Sequence, residues 1–194
     1  MAMALDALHE LSDEELLARF AAGEAAAARV LTLRLTPVAL RVAQRMLNDA
    51  AEAEDVAQEA MLRLWRMAPD WQSGVARVST WLYRVTSNLC TDRLRRRRSV
   101  DLEAAGEVED DRPAAVNELI AADRAAALQA ALQALPERQR QAVVLRHIEG
   151  LSNPEIGDIL GIGVDAVESL TARGKRALTQ ALAGRREELG YGDD

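Results

Sequence analysis

Apolar residues return every three or four positions along most of this chain, the period of an amphipathic helix, and runs rich in Val, Ile, Thr and Tyr are missing. The segment SDEE, from Ser12 to Glu15, has the form of a capping box and predicts a first helix to about Ala22, where Gly23 breaks it. Further helices are predicted over 24–33, over 36–47 with Pro37 near its first turn, and over 51–67, stopping before Pro69. After the loop 69–78, with Trp71, Ser73 and Gly74, a helix opens at Trp81 with Ser79 or Thr80 as its cap. Residues 99–117 are acidic, include Gly106 and Pro113, and show no apolar period, the character of a flexible linker. Helical periods resume over 119–135, 137–149, 153–160 and 164–182, before a tail at 184–194. The expectation is an all-α protein: two small helical domains, 1–98 and 118–183, joined by the flexible acidic linker 99–117.

Three elements carry polar patterns that a core does not require. In the helix over 51–67, Ala53, Val56, Ala57, Ala60, Leu64 and Trp65 make a core face, and Asp55, Gln58, Glu59 and Arg66 make the opposite one. Leu62 lies inside that polar face, so it reads equally as a stray exposed leucine or as a protein-binding hot spot with a polar rim. In the helix from Trp81, the core positions are Leu82, Val85 and Leu89, and Arg84, Asn88 and Asp92 form a polar stripe beside them. The helix ends in Arg93, Arg95, Arg96, Arg97 and Arg98, which suits phosphate, while Trp81 can stack on an unpaired base; a solvated basic helix end is the plainer alternative. Finally, Ile156, Ile159 and Leu160, a Gly161-Ile162-Gly163 turn, and then Val164, Val167 and Leu170 or Thr171 facing inward have the layout of a helix-turn-helix or of an ordinary helical hairpin. The basic end at Arg173, Lys175 and Arg176 favours the DNA-binding form.

Composition narrows the function classes. The 194 residues are 49% hydrophobic, enough for packed cores, and carry a formal net charge of −7. That total argues against a polyanionic partner, but the charge is segregated: basic at 93–98 and 173–176, acidic at Asp101, Glu103, Glu107, Glu109, Asp110 and Asp111. Cys90 is the sole cysteine, which excludes an internal disulfide, and its apolar neighbours favour a buried small hydrophobe over a redox sensor. His9 and His147 have no metal-ligand pattern around them, and no nucleophile or phosphate-loop motif exists, so neither an enzyme nor a metal or cofactor is expected. A signal peptide and a bilayer-spanning run are both missing, which predicts a cytoplasmic chain without membrane insertion.

Taken in order, AEAEDVAQEAMLRLW, STWLYRVTSNLCTDRLRRRR and LPERQRQAVVLRHIEGLSNPEIGDILGIGVDAVESL resemble the successive signatures of bacterial extracytoplasmic-function (group IV) sigma factors of the sigma-70 family. The resemblance implies a promoter-specificity subunit of RNA polymerase, with sigma-two as the first domain and a helix-turn-helix sigma-four as the second. It implies that Asp55, Gln58, Glu59, Leu62 and Arg66 dock on the β′ clamp helices of core polymerase. Binding and opening of the −10 element would fall to Trp81, Arg84, Asn88, Asp92, Arg93 and Arg96, with Trp71, Ser73 and Arg77 in or beside the loop that captures a flipped base. The −35 element would be read by Val164, Asp165, Glu168, Ser169, Arg173, Lys175 and Arg176, supported by the helix over 137–149, which also contacts the β flap. The acidic linker would thread toward the RNA exit path. The implied partners are core RNA polymerase, promoter DNA and an anti-sigma factor, with no small-molecule substrate, and the implied role is initiation of a stress or signal regulon. The chain departs from the family at Leu170, where arginine is common, at Gly157 and Gly174, where alanine is common, and in the acidic Asp165 and Glu168 near the groove. A stand-alone helix-turn-helix regulator and an adaptor that titrates an anti-sigma factor are the rival readings; the first leaves the 51–67 and Trp81 helices unexplained, and the second leaves the basic end of the last helix unexplained.

Overall fold

The computed structural model describes residues 8–72, 74, 76–101 and 116–183. The described elements are helical, as expected, and the chain divides into two compact units, residues 1–90 with the short segment 158–161, and residues 91–157 with 162–194.

In the first unit the capping box at Ser12 forms: its hydroxyl accepts from the Glu15 N–H, and the Glu15 carboxylate accepts from the Ser12 N–H at 2.9 Å. These bonds start α1 (Asp13–Ala21) and hold the Glu15 carboxyl below the usual carboxylate range. A left-handed Gly23 follows, and then α2 (Ala25–Leu47) runs unbroken where two helices were expected. Pro37 sits inside it. An interior proline costs about 3 kcal/mol. Here Pro37 is on the exposed side, and Val30, Leu31, Leu35, Ala39 and Val42 form one buried stripe that continues past it. Burying each larger side chain contributes about 1.5–3 kcal/mol, so the stripe outweighs the lost bond.

Asn48, at φ +53°, ends α2, and the Asp49 carboxylate accepts from the Glu52 N–H at 2.9 Å to open α3 (Ala50–Met67). A 3-10 turn, Ala68–Asp70, closes it. The next helix, α4 (Val78–Asp101), begins ahead of Trp81, so neither Ser79 nor Thr80 is its cap. The Val78 N–H instead donates to Glu14 Oε1 at 2.9 Å, a cap supplied by α1 from 64 positions away. The core of this unit joins Leu16, Leu17, Val30, Leu31, Leu64 and Leu82, and the Phe20 and Trp65 rings meet edge-on at 4.7 Å. α4 continues past Arg98, so residues 99–101 of the expected linker are helical; residues 102–115 lie outside the described residues, as does the tail at 184–194.

The second unit contains α5 (Val116–Gln133), which takes in the last two positions of the expected linker. The helix expected over 137–149 is α6 (Glu137–Val143) followed by a π-helical turn, Val144–Ile148. Then come α7 (Asn153–Leu160) and α8 (Val164–Ala183). Leu132, Leu135, Val143, Val144, Leu145, Ile156 and Val167 are buried. Gly174 is buried where α8 crosses α6: a Cβ there would stand 2.5 Å from Val143 Cγ2 and 3.4 Å from the Gln139 carbonyl oxygen. Alanine is the better helix former by about 1 kcal/mol, but forcing a methyl into a filled contact costs about 1–3 kcal/mol. Gly174→Ala is therefore expected to lower stability by up to about 2 kcal/mol in urea unfolding, and Val143→Ala in the same chain to recover part of the loss. A Gly174→Ala chain as stable as the parent would show that the crossing relaxes freely.

Candidate protein and nucleic-acid interfaces

On α3 the two faces separate as their spacing requires. Ala53, Val56, Ala57, Ala60 and Leu64 are buried, and Trp65 is half-buried against the core. Asp55, Gln58 and Arg66 are exposed, and Glu59 is half-buried. Leu62 is 47% exposed, among the few large apolar side chains that remain open to solvent. Arg63, which the sequence reading passed over, stands on this surface and holds Glu59 at 2.8 Å. That bond keeps the Glu59 carboxyl below its ordinary range and hence ionised. The i,i+4 spacing of Glu59 and Arg63 was the signal available in the sequence.

On α4 the expected core positions hold in part. Leu82 is fully buried, while Val85 and Leu89 are half-buried against the core. Tyr83, Thr86, Ser87 and Cys90 are buried too, which gives Cys90 the surroundings of a small core residue. Arg84, Asn88 and Arg96 are exposed, and Asp92 and Arg93 are half-buried. Asp92 accepts from Arg95 at 3.0 Å. Trp81 does not open the helix: it lies in its first turn, donating its N–H to the Arg77 carbonyl at 3.1 Å, with its ring half-buried against the core. Trp71 also packs on that core, and its indole N–H is buried without a hydrogen-bond partner. Arg77 is exposed, and Ser73 lies outside the described residues. Trp71 and Trp81 thus each divide between core packing and an open edge.

Between α7 and α8 lies a turn in which Gly161 takes φ +65°, a conformation that glycine adopts without strain. Ile156, Ile159 and Val167 are buried and Thr171 is nearly so, its hydroxyl donating to the Val167 carbonyl at 2.8 Å. Leu170 is half-buried. Val164 corrects the reading: it is 40% exposed rather than directed into the core, because it stands at the first position of α8, outside the Val167, Thr171, Gly174 stripe. Asp165, Glu168, Ser169, Arg173, Lys175 and Arg176 are all exposed along α8. Glycine at 157 has a structural cause, since a Cβ would stand 2.9 Å from the Ile162 carbonyl oxygen.

Beside the α8 face lies an open cleft of about 270 Å³, lined by Arg146 and His147 of the π turn, Asn153 of α7, and Glu168, Thr171 and Lys175 of α8. Burial, and then the charges of Lys175 and Arg146, push the His147 imidazole below its ordinary range, which favours its neutral form. Asn153 Nδ2 donates to Glu168 Oε1 at 3.3 Å. No cluster of side chains that could hold a metal ion occurs among the described residues, and no described helix is long and apolar enough to cross a membrane.

Comparison with known proteins gives two family matches. Residues 31–100 match the family Sigma-70 region 2, and residues 125–178 match Sigma-70, region 4. The chain is 40% identical over 156 residues to the ECF RNA polymerase sigma factor SigE of Mycolicibacterium smegmatis, a match that covers 76% of this chain and 58% of SigE. It is 36% identical over 174 residues to the ECF RNA polymerase sigma factor SigM of Mycobacterium tuberculosis, covering 90% of this chain and 86% of SigM. Among solved structures, CnrH in complex with the cytosolic domain of CnrY is similar with a TM-score of 0.67 and 28% identity, over 89% of this chain and 97% of CnrH.

Proposed function

Because the chain belongs to the extracytoplasmic-function sigma factors of RNA polymerase, we propose that it brings core polymerase to promoters with −10 and −35 elements and opens them, using its three surfaces in turn. The observation that carries this reading is Leu62, open to solvent among Asp55, Gln58, Glu59 and Arg66. An apolar side chain ringed by charged and amide groups fits a docking hot spot, and the β′ clamp helices are its proposed partner. The exposed polar stripe and arginine end of α4 suit the −10 region, and the exposed face of α8 suits the −35 groove, with the acidic segment between them as the connecting linker. The chain acts without chemistry of its own, which the polymerase supplies, and works in the cytoplasm. Control by a protein that binds the chain is supported by the likeness to CnrH, whose structure holds the cytosolic domain of CnrY, and an anti-sigma factor is the proposed kind.

Transcription in vitro from a promoter library with purified core enzyme tests the whole reading: specific initiation is expected only when both chain and core are present. Specific promoter binding by the chain alone would instead identify a free-standing regulator. Within this assay Trp81→Ala is expected to slow promoter opening more than closed-complex binding, since stacking on an unpaired base is worth about 1–3 kcal/mol. Permanganate reactivity of unpaired thymines reports the opening directly. Normal melting by a folded Trp81→Ala chain would confine Trp81 to its core-packing role.

A further inference from the structure

From the bond between Asn153 and Glu168 we infer that Asn153 is a positioning residue for base readout: it holds the Glu168 carboxylate in one pose, so that one base pair of the −35 element is chosen by an α7–α8 pair rather than by α8 alone. The inference rests on the proposed placement of α8 in the −35 groove.

Asn153 stands at the first position of α7, next to Ser152, whose hydroxyl and N–H engage Glu155 in a second capping box. The cap fixes the backbone from which the Asn153 side chain leaves. That side chain lines the cleft beside α8, and its Nδ2 reaches Glu168 Oε1 at 3.3 Å. Its Oδ1 is buried and has no hydrogen-bond partner. An ionised carboxylate only accepts hydrogen bonds, so Glu168 selects the amide orientation that presents Nδ2. The unpaired Oδ1 marks the cost of that choice: the amide is set for Glu168 and not for its own surroundings.

Glu168 is exposed, and a free glutamate at such a place samples many rotamers that base recognition must then freeze. A bond to Oε1 removes part of that freedom in advance and leaves Oε2 as the acceptor for an exocyclic amino group. In the major groove a carboxylate matches the N4 amino group of cytosine. The neighbouring Lys175, on the same cleft, can hold a phosphate while Glu168 faces the bases.

The test is binding of holoenzyme to a −35 library in which every base pair is varied singly, with Asn153→Ala, Asn153→Asp, Glu168→Gln and the doubles with Glu168→Gln. Asn153→Asp keeps the side-chain shape and suits the start of a helix while replacing the donor with a second carboxylate, and circular dichroism of each variant checks that the helices are kept. Glu168→Gln is expected to reduce discrimination at one base pair by about five- to tenfold, within the usual range for a single base contact. Both Asn153 variants should reduce discrimination at that same base pair, and each double should be no worse than Glu168→Gln alone. A merely structural role would weaken all sequences together and leave their ranking intact. If Glu168→Gln changes the preferred base and the Asn153 variants do not, the positioning role is refuted and the groove placement stands. If Glu168→Gln leaves the ranking unchanged, the groove placement of this part of α8 fails and the inference falls with it.

Discussion

Arg140→Ala is expected to destabilise the second unit by about 3 kcal/mol, more than any other single truncation of a polar side chain there. Arg140 is only 7% exposed. One guanidinium nitrogen donates to the Gln133 side chain, and the other donates to the carbonyls of Gln133 at 2.8 Å and Leu135 at 3.3 Å. Those carbonyls belong to the C-terminal turn of α5 and the residues just past it, where backbone acceptors have no partner within the helix. A cation is also well placed at a helix C-terminus. Burial, and to a smaller extent Arg98, pulls the guanidinium below its ordinary pKa against the opposing charge of Glu137, and a guanidinium remains cationic at neutral pH. Truncation removes the donors to the part-buried Gln133 side chain and carbonyl and to the buried Leu135 carbonyl, and a buried acceptor left without its donor costs about 1–3 kcal/mol before any relaxation. Urea unfolding followed by far-UV circular dichroism measures the loss, and Arg140→Lys, with a point charge in place of a fork, should recover only part of it. A loss below about 1 kcal/mol would mean that water replaces the guanidinium at the end of α5.

The second large effect is expected at Leu62. Leu62→Asp should weaken assembly with core polymerase by at least ~2 kcal/mol, about 30-fold in affinity. The side chain is 47% exposed in the free chain, so its removal costs the fold little. In a docked complex the same position would place a carboxylate in an apolar contact, next to Glu59, which its bond to Arg63 keeps ionised. Arg63→Ala serves as a graded companion: it releases Glu59 and should weaken assembly less than Leu62→Asp does. Titration of labelled chain with core enzyme reads both, with circular dichroism confirming the helices. Equal affinity of Leu62→Asp and parent chains would remove α3 from the polymerase interface.

The sequence by itself determined whatever depends on neighbours in the chain. The capping box at Ser12, the two faces of α3 and the Gly161 turn all follow from local hydrogen bonding and helical spacing, and all are legible in the residues. So was the segregated charge, with the arginine end of α4 and the exposed basic positions of α8 falling where the order of residues puts them. Tertiary structure decided what depends on residues far apart. Pro37 reads locally as the start of a helix, yet α2 continues through it because a single core stripe is buried on both sides. Ser79 and Thr80 read locally as caps, yet a carboxylate from α1 supplies the cap at Val78, so Trp81 moves into the helix and its ring is shared with the core. The glycine at 174 looks like a weak point in a helix until the approach of Val143, on another helix, explains it. Asn153 and Glu168, fifteen positions apart, become a pair only when α7 and α8 bring an amide donor to a carboxylate that has none of its own. The physical reason is common to all four: period and capping depend on bonds within a turn or two, whereas packing and distant caps depend on which helices meet, and a local pattern does not encode that.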